Sequence, residues 1–255
     1  MTSLQPTQRF SDRVADYVKY RPDYPVSLLE HLIEHYGLQP QHVVSDIGMG
    51  TGLLTQLLLK HCHQVYGVEP NANMRAAAEA YLQTYPNFES INGQAEATTL
   101  ETASMDWIFA GQAFHWFDRQ ATQYEFSRIL NPGGRIALAW NSRLMSDPFQ
   151  QAYEQFLRTY APDYAVVIQH RPTAAELAEF FAPATMEMAT FDHHQTFDFE
   201  GLQGRLLSCS YAPKETAANY GVMMAALRSL FDQYSHDEQL CFRYTTHLYC
   251  AQPVA

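Results

Sequence analysis

The stretch Asp46-Ile47-Gly48-Met49-Gly50-Thr51-Gly52 constrains this chain more than any other. Before it, His42 to Ile47 reads as a short buried strand. After it, Leu53-Leu54 and Leu57-Leu58 mark a helix. Glycines between a strand and a helix let the backbone turn tightly and approach a ligand closely. The helix N-terminus behind them presents unpaired N–H groups and positive potential. A dinucleotide loop wants GxGxxG, with an acid about 20 residues further on for a ribose hydroxyl. Here the spacing is GxGxG, and Leu53 stands where the third glycine would be. Glu69 ends the next strand and suits a ribose in either case.

From Val26 to Gly134 helical and strand-like segments alternate. Leu28, Leu29, Leu32, Ile33 and Tyr36 share a helical face that stops at Gly37. Val65 to Glu69 is a second strand, and Asn71 caps an alanine-rich helix from Met74 to Gln83. Phe88–Ile91, Met105–Ala110 and Arg135–Trp140 are further strands. Asp118 caps a helix ending near Leu130, and Asn131 to Gly134 is a turn. This rhythm gives βαβ units and a parallel sheet with helices on both faces. After Trp140 it breaks. Residues 148–160 and 173–182 read as helices, Glu187–Phe199 as a loose strand, and Val222–Phe231 as a long helix. Leu240–Tyr249 reads as a strand. One domain with a helical insertion accounts for this: residues 1–36 covering the site, 37–145 as the ligand-binding core, 146–235 as a lid and substrate region, and 236–255 as the final strand.

Composition narrows the partners. The net charge of −11 argues against nucleic acid, whose phosphates need a basic face. Cys62, Cys209, Cys241 and Cys250 show no CxxC spacing and read as reduced thiols. No apolar run reaches the roughly 20 residues of a membrane span, and the first residues carry no apolar leader core. A soluble, cytoplasmic protein is expected, with no membrane partner and no metal.

The glycine loop resembles motif I of the class I S-adenosylmethionine-dependent methyltransferases. Val68-Glu69-Pro70-Asn71-Ala72-Asn73-Met74 is similar to their second motif and Gly93-Gln94-Ala95-Glu96 to their third. Leu130-Asn131-Pro132-Gly133-Gly134 looks like their usual turn into the fifth strand. Tyr17–Pro25, Gln112–Asp118, Trp140–Arg143 and Ser208–Pro213 are similar to the trans-aconitate methyltransferase-like, or methyltransferase type 11, group. The resemblance implies a Rossmann-like, doubly wound, seven-stranded α/β sheet, mostly parallel, with an antiparallel C-terminal strand. It implies S-adenosyl-L-methionine as cofactor, leaving as S-adenosyl-L-homocysteine, and a small-molecule methyl acceptor, with a carboxylic acid as one class it allows.

Residue by residue, the resemblance passes the methionine part of the cofactor along Gly48 and Gly50, with Asp46 reaching its amino group. Glu69 takes the ribose hydroxyls, Met74 lies against the adenine, and the Ala95 amide meets a ring nitrogen. Gln94 stands where the family often has aspartate. Its amide oxygen still accepts a hydrogen bond, without charge. Gln112 sits near the methionine end, and Tyr17 and Arg21 fold over the site, Arg21 toward the cofactor carboxylate.

Ala110-Gly111-Gln112-Ala113-Phe114-His115-Trp116-Phe117-Asp118 puts aromatics and a histidine at the carboxyl end of a strand, where ligands bind in open α/β sheets. Such a cluster excludes water, and its ring faces favour a sulfonium charge. His115 is the catalytic candidate, as a base for a hydroxyl or amine or as an orienting donor for a carboxylate. Trp116 is expected to line the pocket, Arg143 to meet an acidic substrate, and Tyr211 to reach in from the lid. Two other functions stay open: an NAD(P)-dependent Rossmann oxidoreductase, and a cofactor-binding module without catalysis. His31-Leu32-Ile33-Glu34-His35 matches an HxxEH zinc pattern, but no third ligand is identifiable.

Overall fold

A computed structural model describes residues 14–169 and 172–253. Seven strands form one sheet: β1 (Val43–Ile47), β2 (Gln64–Val68), β3 (Phe88–Ile91), β4 (Met105–Gly111), β5 (Leu130–Arg143), β6 (Glu187–Phe197) and β7 (Leu240–Ala251). Their order is β3-β2-β1-β4-β5-β7-β6. The pairs among β1 to β5 are parallel, and β7 runs antiparallel to both β5 and β6. The chain therefore reverses its direction of sheet growth between β1 and β4, which opens a crevice at the carboxyl ends of those strands.

The central strands are buried on both sides, as parallel strands covered by helices must be. On β4, Trp107 and Phe109 face one way, against Leu28, Leu29 and Leu32 of α2 (Val26–Tyr36) and Leu54, Leu57 and Leu58 of α3 (Leu53–Leu59). Ile108 and Ala110 face the other way, against Phe126 and Ile129 of α5 (Arg119–Ile129) and Leu177, Phe180 and Phe181 of α8 (Ala174–Phe181). Between these lies α4 (Ala72–Leu82), capped by Asn71, whose side chain accepts from the Asn73 and Met74 amides. Gly37 ends α2 in the left-handed conformation, φ +69°.

A third cluster joins α6 (Pro148–Tyr160), α9 (Phe199–Leu207) and α10 (Tyr220–Tyr234) to Phe242 and Tyr244 of β7. A short helix α7 (Tyr164–Gln169) follows α6. The N-terminal helix α1 (Val14–Tyr20) packs on α9, where the Tyr20 ring occupies the space a Cβ on Gly204 would need, 2.0 Å from it.

Within the expected cover α2 presents three leucines to the sheet, and among the described residues before β1 only α1 and the loop to Tyr24 reach the site. Residues 146–235 contain β6, which pairs with β7 along its whole length. The turn at Asn131–Gly134 is continuous with β5; it keeps its bend through an irregular register against β4 and Gly133 at φ +83°. Residues 1–13 of the expected cover lie outside the described residues.

Candidate functional site

All fourteen residues singled out from the sequence line one cavity of about 280 Å³ at the carboxyl ends of β1, β2, β4 and β5. The glycine loop forms its floor. Gly48 and Met49 both donate their amides to the Val68 carbonyl, at 2.8 and 3.2 Å, which bends the chain away from β1. Gly48 has φ +70°, and a Cβ there would lie 2.6 Å from the Ala113 Cβ. No side chain fits at that turn, and the backbone stays open to the cavity.

Two carboxylates stand beside the loop. Glu69 accepts from the Gly50 amide at 3.0 Å and from the Asn71 amide at 2.8 Å. Burial raises its pKa, against those two amides. Each of its oxygens keeps a lone pair for a ligand hydroxyl. Asp46 is 1% exposed. Its Oδ2 accepts from Thr55 Oγ1 at 2.6 Å, and its Oδ1 is buried with no partner among the described residues. Burial lifts its pKa to about 7, with Thr55 pulling the other way. A buried acceptor without a donor is a costly arrangement. A ligand cation or N–H donor placed there would satisfy it.

Met74 is buried beside Gly50, and the Ala95 amide and the exposed Gln94 border the cavity next to it. Glu125 holds their loop: it accepts from Thr98 N at 2.8 Å and Thr98 Oγ1 at 2.5 Å, and from Arg128. Arg128 and Thr98 bring its pKa down to about 2, against burial.

The aromatic segment after β4 divides its labour. Phe114 is fully buried, edge-on to Phe180 and Trp140, and belongs to the core. His115, Trp116 and Phe117 line the cavity. The 3-10 turn Phe114–Trp116 makes this split, since three residues per turn send neighbours to different sides. Gln112 just before it has φ +58°, a strained value for a side-chain-bearing residue, and its Nε2 donates to the Asn141 carbonyl at 3.0 Å.

The lid end is basic. Arg21 stacks over Tyr17 and donates to the Ser208 carbonyl at 3.2 Å, while its Nε is buried without a partner among the described residues. Arg143 is tied to Glu154 and to the Tyr164 hydroxyl. Sequence reading missed Arg205, Tyr153 and Tyr244 here. Arg205 is 7% exposed and donates to the Tyr244 hydroxyl and to Cys209 Sγ, both at 3.0 Å. A charged residue between Leu202 and Leu206, on the buried side of a helix, was the signal available.

His31 and His35 stack on each other at 4.1 Å on α2, far along the chain from this crevice, and no group of three metal-ligating residues occurs among the described residues. Among them, no helix is long and apolar enough to cross a membrane.

A methyltransferase-domain family model matches residues 45–138. An uncharacterized methyltransferase of Schizosaccharomyces pombe is 26% identical over 250 residues, covering 96% of this chain and 97% of that protein. These matches support a class I S-adenosylmethionine-dependent methyltransferase. A second S. pombe relative, described as methyltransferase-like, is 28% identical over 155 residues, which span 60% of this chain and 59% of the relative. A solved structure of a putative type II methyltransferase from Anaeromyxobacter dehalogenans superposes with a TM-score of 0.62 at 22% identity, covering 92% of this chain and 97% of that one, and speaks for the fold. The crevice has groups that could hold S-adenosylmethionine: an aspartate oxygen buried without a partner among the described residues, and a glutamate held by two backbone amides.

Proposed function

We propose that this protein transfers a methyl group from S-adenosyl-L-methionine to a small-molecule carboxylic acid within a single domain. The observation that carries the reading is one cavity with two carboxylates at its β1–β2 side and three arginines at its lid side. A zwitterionic cofactor and an anionic acceptor need that polarity. In this reading Glu69 would receive the ribose hydroxyls, Asp46 would take the amino group, and the Gly48 and Gly50 backbone would hold the methionine part. Met74 packs on the adenine, with the Ala95 amide and Gln94 at its polar edge. Gln112 borders the methionine end, and Arg21 and Tyr17 close over it, Arg21 toward the carboxylate.

Bound there, the cofactor supplies an electrophilic methyl on a sulfonium. The protein's share is positioning and exclusion of water, which suffice for an in-line displacement. Trp116 and Phe117 keep water from the reacting atoms and offer ring faces to positive charge. A carboxylate acceptor is already a nucleophile and needs no base, so His115 orients it by hydrogen bond. Arg143 and Tyr211 border the acceptor. Glu154 fixes the Arg143 guanidinium in place.

A radiolabel transfer assay against a panel of small acids, with their amides as controls, tests the reading. Turnover of one or more acids and none of the amides is expected. Turnover of amines or phenols alone would replace the acceptor class, and tight binding of NAD in place of the cofactor would remove the methyltransferase reading.

A further inference from the structure

The cavity runs along the mouth of the sheet from β2 to β7. With strands about 4.8 Å apart, four steps separate them by roughly 19 Å. The two carboxylates stand on β1 and just after β2. The far end, at β5 and β7, is built from other elements: Arg143 pairs in register with Tyr244, Tyr153 comes from α6, and Arg205 comes from α9.

Three features of that end are left incomplete by the fold. The Arg205 guanidinium is buried, packs over the Phe242 and Tyr244 rings at 5.4 and 5.9 Å, and has no carboxylate partner among the described residues. The Tyr153 side chain is 1% exposed, and its hydroxyl is buried without a hydrogen-bond partner among the described residues. Arg143 has its charge matched by Glu154, yet its Nη1 is also buried and unpartnered. An unmatched buried cation and two idle donors are each destabilising unless an anion completes them. The same potential is visible on Cys209. Burial alone would push its thiol up, but Arg21 and Arg205 outweigh it and bring it to about 7.

We propose that Arg205 and the Tyr153 hydroxyl, assisted by Arg143 Nη1, form an anion subsite that recognises a carboxylate of the acceptor. Arg205 supplies the charge. Tyr153 supplies a directional donor, and Arg143 a second one. The inference rests on the methyl-transfer reading for its meaning and deepens it: specificity for acids comes from two helices outside the cofactor-binding half, not from Arg143 alone.

The test measures thermal protection and calorimetric binding at pH 6.5, on protein saturated with S-adenosylhomocysteine. The probes are succinate, benzoate and inorganic phosphate, with succinamide and benzamide as neutral counterparts. Wild type, Tyr153→Phe, Arg205→Lys and Arg205→Met are compared. Tyr153→Phe keeps the ring and removes only an oxygen that bonds nothing in the fold, so it decides the matter if Arg205→Met does not fold. At least one acid protects the wild type and its amide does not. Tyr153→Phe weakens that acid about tenfold, Arg205→Met abolishes it, and Arg205→Lys restores part of it. Equal acid affinity in wild type and Tyr153→Phe, equal protection by acid and amide, or no protection by any acid overturns the proposal. So does loss of S-adenosylhomocysteine binding in Arg205→Met with acid binding intact, which would hand Arg205 to the cofactor. If S-adenosylhomocysteine fails to bind the wild type, the methyl-transfer reading itself falls, and the two failures are told apart by that titration.

Discussion

Replacing Asp46 by asparagine should make the ligand-free protein more stable and the cofactor complex weaker. Asp46 is buried, and its carboxyl titrates near about 7 in the folded chain against an ordinary 3.8. The folded state therefore holds a proton that the unfolded state has released, and stability falls as pH rises across that window. Carried through the linkage relation, the aspartate destabilises the fold by roughly 4 kcal/mol at pH 8 and roughly 2 kcal/mol at pH 5.5. Asparagine keeps the volume and still accepts from Thr55, but carries no charge to bury. Its Tm should exceed the wild type's at pH 8, with about half of that advantage left at pH 5.5. Denaturant unfolding without cofactor, at both pH values, reads this directly. In the same protein, S-adenosylhomocysteine affinity should fall at least tenfold, since the ammonium loses its charged partner. A variant equal to or less stable than wild type at pH 8, or with a pH-independent difference, would refute the assignment of a buried, ligand-directed carboxyl.

Other substitutions test separate parts of the site. Gly48→Ala adds a Cβ at φ +70° and 2.6 Å from Ala113, and should lower stability by about 2 kcal/mol or more and abolish cofactor binding, by chemical denaturation and calorimetry. His115→Ala should reduce kcat/KM for an acid acceptor by about tenfold with an unchanged pH profile; a loss of a thousandfold or more would make it a base. Glu125→Gln removes a carboxylate that binds Thr98 and Arg128, and should cost about 1–3 kcal/mol of stability at pH 7. Its carboxyl is held down to about 2, so the stability it contributes is present above pH 4.5 and lost as pH falls toward 2.

The cofactor half of the cavity was legible because local chemistry fixes it. Gly48 and Gly50 sit where only a bare backbone fits, and Glu69 ends a strand whose neighbour carries the loop. The lid half was legible only in part. Arg143 follows a strong strand and was visible. Arg205 and Tyr153 reach the cavity through the pairing of β5 with β7 and the packing of α6 and α9, contacts between residues far apart in sequence. Helix α2 read as a cover because it precedes the core, yet three leucines on one face already said that it packs on the sheet. Strand β6 read weakly because it is an edge strand whose residues are mostly exposed, alternating with half-buried ones.

The central claim is that Glu69 and the glycine loop hold S-adenosylmethionine. Calorimetry with S-adenosylmethionine, S-adenosylhomocysteine and NAD, on wild type and Glu69→Ala, tests it most directly. Saturable binding of the first two to the wild type, lost in Glu69→Ala, and no binding of NAD is the predicted result. Binding of NAD alone, or equal affinity of both proteins for S-adenosylhomocysteine, would contradict it.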